Sequence, residues 1–113
     1  MINFHQPGDV VTLTAPSGGV VSGRFYKIGS LLVCATADVA QTLPFEGKTT
    51  GVFRVTKVGS QAWTEGLIVY WDTGNARFTS TSGGNQQAGV ALEAVGAGAG
   101  ETTGLVRLDG IAR

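Results

Sequence analysis

The sequence predicts an all-β fold: a single small β-barrel or sandwich of about eight short strands with Gly-rich loops. Three observations lead there. Apolar and β-branched residues recur in short alternating runs at near-regular spacing. Eighteen glycines supply the turns and bends that such strands need. No helical period extends beyond one candidate turn, Asp38 to Gln41.

The elements follow in chain order. Residues 1–8 form an extended leader in which Ile2 and Phe4 are placed to pin it to a surface, and Pro7-Gly8 ends it. Residues 9–113 form one β domain. Asp9 to Thr14 (DVVTLT) is its first strand, and Ala15 to Gly19 (APSGG) is a loop by its proline and paired glycines. Val20 to Ile28 and Ser30 to Ala37 are two strands with Gly29 as the turn or bulge between them. Thr42 to Glu46 is a short strand weakened by Pro44. Gly51 to Val58 alternates cleanly, with Val52, Arg54, Thr56 and Val58 on one face and Phe53, Val55 and Lys57 on the other. Gly59 to Gly66 is a loop that contains Trp63.

Residues 62–81 are the centre of the reading. Leu67 to Trp71 is an apolar strand, Asp72-Thr73-Gly74-Asn75 a turn, and Arg77 to Thr81 the returning strand. Gly74 and Asn75 tolerate the positive φ that tight hairpin turns require. Both tryptophans stand in or just before this hairpin, so Phe53, Trp63, Tyr70 and Trp71 are the expected core. After a turn at Ser82 to Asn85 come strands at Gly89 to Ala94 and Leu105 to Asp109. A flexible loop, Val95 to Gly104, joins them.

Composition narrows the function. Eight basic and eight acidic residues leave no net charge and no basic patch, so nucleic acid is not an expected partner. No apolar run reaches the ~18 residues that span a bilayer, and no membrane partner is expected. The charged fraction is 14%, well below the roughly 25% usual in globular chains. Much of the surface is therefore uncharged and suited to contact with protein. A lone cysteine, Cys34, fits a reducing compartment and lies in an apolar run as a buried thiol.

Catalytic motifs are weak. Asp72-Thr73-Gly74 after an apolar strand resembles the aspartic protease motif, in which two chains bring their aspartates together. Asn75 departs from that pattern, and no later apolar-apolar-Gly-Arg segment follows; the competing reading is a turn in which Asp72 caps the loop backbone. His5 stands alone in the leader, and no Cys, Asp or Glu cluster has metal-ligand spacing. The run Gly96-Ala97-Gly98-Ala99-Gly100 lacks the third glycine of a dinucleotide fingerprint and any following helix. No cofactor is expected. Arg24, Lys27, Arg54, Lys57, Arg77 and Arg107 are spread over several strands and read as a solvated face, or as outward cations that meet acidic protein.

The ordered set of short segments resembles the small phage and prophage head-decoration, or capsid cement, proteins. The matching segments are Gln6-Pro7-Gly8-Asp9, Thr12 to Pro16, Gly51-Val52-Phe53, Trp63-Thr64-Glu65-Gly66, Tyr70-Trp71-Asp72, Gly89-Val90-Ala91 and Thr102 to Gly110. The resemblance runs over nearly the full length. It implies a structural protein, not an enzyme, on the outer face of the virion head. Made in the bacterial host cytoplasm, such a protein binds the major capsid protein and stabilises contacts between capsomers. It also implies a homo-oligomer, a trimer before a dimer. Ile2, Phe4, Ser17, Gly18, Gly19 and Gly98 are the expected contacts with capsid or with other copies. Two alternatives stand beside it: a retropepsin-like protease acting as a homodimer through Asp72, and a head or tail completion adaptor.

Overall fold

A computed structural model describes residues 9–111. The chain is all-β, with nine strands in two sheets and no helix among the described residues. The chain divides into two compact units, one ending at Thr50 and one over Gly51–Ile111.

The first unit holds β1 (Val10–Thr14), β2 (Phe25–Ile28), β3 (Leu31–Ala35) and β4 (Pro44–Lys48), in the sheet order β1-β4-β3-β2. Its core is Ala15, Val20, Val33, Ala35 and Phe45, with Val11, Leu13, Tyr26 and Val39 packed around them. Gly47 is required here, because a Cβ would stand 2.8 Å from the Val33 side chain. Pro44 opens β4, where the missing N–H does least harm to the ladder.

The expected strand from Val20 to Ile28 is cut short to Phe25–Ile28. Gly23 takes φ +82°, and the Val21 N–H donates to the Tyr26 hydroxyl at 2.8 Å, which folds the preceding segment. Asp38 to Gln41 is not a helical turn either. Val20 and Val39 exchange backbone hydrogen bonds, and Asp38 accepts from the Ser22 N–H at 2.8 Å.

The second unit holds β5 (Thr50–Thr56, whose first residue lies in the first unit), β6 (Ile68–Asp72), β7 (Arg77–Thr79), β8 (Gln86–Ala91) and β9 (Thr103–Asp109). Their order is β5-β9-β8-β6-β7. Just beyond β5, Lys57 bridges Phe78 of β7, and the Val58 N–H donates to the Phe78 carbonyl at 3.0 Å. The sheet therefore curls as a half-barrel whose two margins meet at this one bridge. β8 carries one extra residue against β6, because Val69 pairs with Gly89 and Tyr70 with Gln87.

The predicted hairpin forms as β6 and β7, with Asp72 opposite Arg77. Its positive φ falls at Ala76 (53°), not at Gly74 or Asn75. A four-residue loop, Thr73 to Ala76, needs its left-handed residue at the end of the turn and not at its centre. Inside the unit Trp71 and Phe78 meet edge to face at 5.0 Å. Trp63, Val69, Val106 and Leu108 are buried with them. Trp63 packs against β9 at Gly104, where a Cβ would come within 2.6 Å of its ring.

Candidate interaction surface

The alternation of the second unit's strands sorts its side chains into two sets. Along β5 and the residue after it, Val55 and Lys57 are buried while Val52, Arg54 and Thr56 are exposed. The face assignment read from sequence therefore holds along this strand. On β9, Gly104, Val106 and Leu108 are buried, which leaves Leu105 and Arg107 on the opposite face. The registers align Ile68 of β6 with Val90 of β8, and Val90 with Arg107 of β9. A row Ile68–Val90–Arg107 thus crosses three strands on the outward side, with Tyr70 on the same face of β6. Ile68 is 45% and Val52 53% exposed, high values for large aliphatic side chains on regular strands. Arg54 forms an exposed ion pair with Glu93, which contributes little to stability. The outward face thus sets Ile68, Val90, Val52 and Tyr70 beside Arg107 and the Arg54–Glu93 pair.

The loops named from sequence are more ordered than expected. Ser17 and Gly18 are exposed and Gly19 half-buried. Gly18 takes φ +89° and donates to the Gln41 side chain at 2.9 Å, and a Cβ on Gly19 would lie 2.6 Å from the Val39 carbonyl. Gly98 is exposed, but its carbonyl accepts from Ser60 at 3.1 Å and from Glu101 at 3.0 Å. Trp63 and Val95 exchange backbone bonds at 2.9 and 3.0 Å. The glycine-rich loop is therefore pinned to the Gly59–Trp63 segment instead of being free. Ile2 and Phe4 fall outside the described residues. Of the four aromatic residues expected in the core, Trp63 and Trp71 are buried, and Tyr70 and Phe53 half-buried.

One group departs from the solvated-face reading of the cations. Lys57 is 1% exposed. Its Nζ donates to the carbonyls of Val58 (2.8 Å) and Glu101 (3.1 Å) and stands 5.5 Å from the centre of the Trp63 ring. Burial lowers its pKa, an effect partly offset by the Glu101 carboxylate. Beside it, the Gln61 Oε1 accepts from the Trp63 indole at 2.9 Å and from the Ser80 N–H at 2.7 Å. Together these polar groups lock the loop over the core. The alternation grouped Lys57 with Phe53 and Val55 on one strand face, and that face, not the solvated one expected for its charge, is where Lys57 lies. Nothing in the sequence marks Gln61.

Asp72 has the geometry of a turn residue. Its carboxylate accepts from the Asn75 side chain at 2.8 Å and from the Asn75 N–H at 3.3 Å. The Asn75 side-chain bond foremost, with help from the backbone and from Arg77, holds its pKa below the usual carboxylate range. Asn75, the residue that departs from the protease motif, is thus the partner that occupies the carboxylate. Cys34 is buried and its thiol pKa is raised by that burial. Among the described residues no group of three or more His, Cys, Asp or Glu could hold a metal ion, and no helix is long and apolar enough to cross a membrane.

No curated protein and no solved structure matches the chain. A family profile does, over residues 5–108, which takes in both units and every named strand except the last residue of β9. Its description is phage cement protein, a structural family, and by that match the chain belongs to the phage cement protein family.

Proposed function

We propose that this cement protein binds the outer surface of the phage head and stabilises contacts between capsomers, with the major capsid protein and further copies of itself as partners. It performs no chemistry in that role. The family match over residues 5–108 carries the reading. The outward row Ile68–Val90–Arg107 and the exposed Val52 of β5 support it as a protein-binding surface. Each contact is weak alone, and symmetric copies on a shell multiply them through effective concentration. The deciding experiment is co-sedimentation of the purified protein with expanded heads stripped of decoration, followed by a disruption challenge. Saturable binding at a fixed ratio to the major capsid protein, with heads that survive longer, is the expected result. Absence of binding to cognate heads removes the proposal.

A further inference from the structure

The outward face of the five-stranded sheet carries its charge unevenly. Three arginines stand on its strands: Arg54 on β5, Arg77 on β7 and Arg107 on β9. Arg54 is paired with Glu93, and Arg77 lies opposite Asp72. Arg107 is exposed and makes no ion pair among the described residues.

The surroundings of Arg107 are apolar. Val90 lies directly across from it on β8, and Ile68 beyond that on β6. Leu105 precedes it by two residues on the same face of β9. Tyr70 stands two residues from Ile68, also outward. Arginine and tyrosine set among aliphatic side chains are the composition of a binding hot spot, from which lysine is depleted. The described lysines all lie elsewhere: Lys27 and Lys48 in the first unit, and Lys57 buried.

We infer that Arg107 anchors this face to an apolar segment of the major capsid protein that carries one carboxylate, an Asp or a Glu. The inference rests on the cement reading and specifies the partner's chemistry. The planar guanidinium takes a carboxylate through two parallel N–H donors. The aliphatic side chains around it exclude water as the segment seats, which strengthens that contact. A second copy presenting the same face does not fit. The carboxylates there are engaged, Glu93 by Arg54, Asp72 by Asn75 and Asp109 by the Ile111 N–H. A two-fold pairing of the faces would bring two sets of arginines together and offer Arg107 no new carboxylate.

The test is co-sedimentation of the full chain with stripped, expanded heads, as wild type and as charge-changed variants. Arg107→Glu alters an exposed side chain and should leave the melting temperature nearly unchanged. Its affinity for heads should fall at least about tenfold. Lys27→Glu makes the same change in net charge at an exposed site of the first unit and should bind as wild type does. Arg107→Lys keeps the charge and supplies a primary amine. Carbodiimide coupling on the heads should then join a peptide spanning position 107 to an Asp or Glu of the major capsid protein. Should Arg107→Glu fail to fold, that cross-link alone decides, and its absence overturns the inference. Undiminished head binding by Arg107→Glu overturns it too, while wild-type binding leaves the cement reading standing. An equal loss in Lys27→Glu, which marks a response to net charge alone, has the same consequence. So does a cross-link from position 107 to a second copy of this chain. A wild-type chain that does not bind cognate heads removes both the inference and the reading beneath it.

Discussion

At the residue scale, Lys57 is the side chain whose environment differs most from its sequence expectation. A buried ammonium that satisfies two carbonyls is costly to remove, because both acceptors lose their donor. Lys57→Met should destabilise the protein by about 2 kcal/mol. It should also speed amide exchange at Ser60 and Glu101, whose N–H groups bond the Gly98 carbonyl in the same loop. The pH dependence has a defined sign. Burial sets the folded-state pKa of Lys57 below its ordinary 10.5, so between those two values the unfolded chain binds more protons. Wild-type stability should therefore rise relative to Lys57→Met as pH climbs toward 10.5, measured by denaturant unfolding at successive pH values. Asp72 gives a second prediction. Asp72→Ala should lower thermal stability by loss of the turn bonds to Asn75, and a peptide-cleavage assay at acid pH should detect no activity in wild type or variant. Cleavage that disappears on substitution would restore the protease reading.

At the element scale, two glycines that look alike in sequence have opposite roles. A Cβ on Gly89 would stand 1.9 Å from the Arg107 carbonyl, so Gly89→Ala must push β8 from β9. A cost of about 3 kcal/mol is expected, with the cooperative unfolding transition lost or sharply lowered. Gly96 has open space around its Cβ position and no positive φ, and Gly96→Ala should leave the melting temperature nearly unchanged. Periodicity made the strands legible where one face is buried: β5 alternates in both sequence and burial. It failed for Val20 to Arg24, which are apolar enough for a strand. A tyrosine hydroxyl and a positive-φ glycine bend that segment away. It also failed for the Val95 to Gly104 loop. Glycine content marks conformational freedom in the unfolded chain, whereas the hydrogen bonds that remove it come from residues thirty or more positions earlier in the sequence.

At the scale of the whole molecule, the leader supplies the remaining prediction. Deleting Met1 to Gln6 should leave the unfolding transition in place and reduce occupancy on heads, read as the ratio of bound protein to major capsid protein. Undiminished occupancy would remove the leader, with Ile2 and Phe4, from the contact set. The low charged fraction bears on the same experiment, because a surface with few ionic contacts should hold heads with little dependence on salt.

The order of short segments along the chain determined the all-β class, the central hairpin and the cement family, since alternation and turn chemistry are local properties that a linear string displays. Tertiary structure alone decided the division into two sheets and the meeting of one sheet's margins at Lys57 and Phe78. These features depend on which strands become neighbours, and neighbours are chosen by long-range packing and hydrogen bonding that no single stretch of sequence contains.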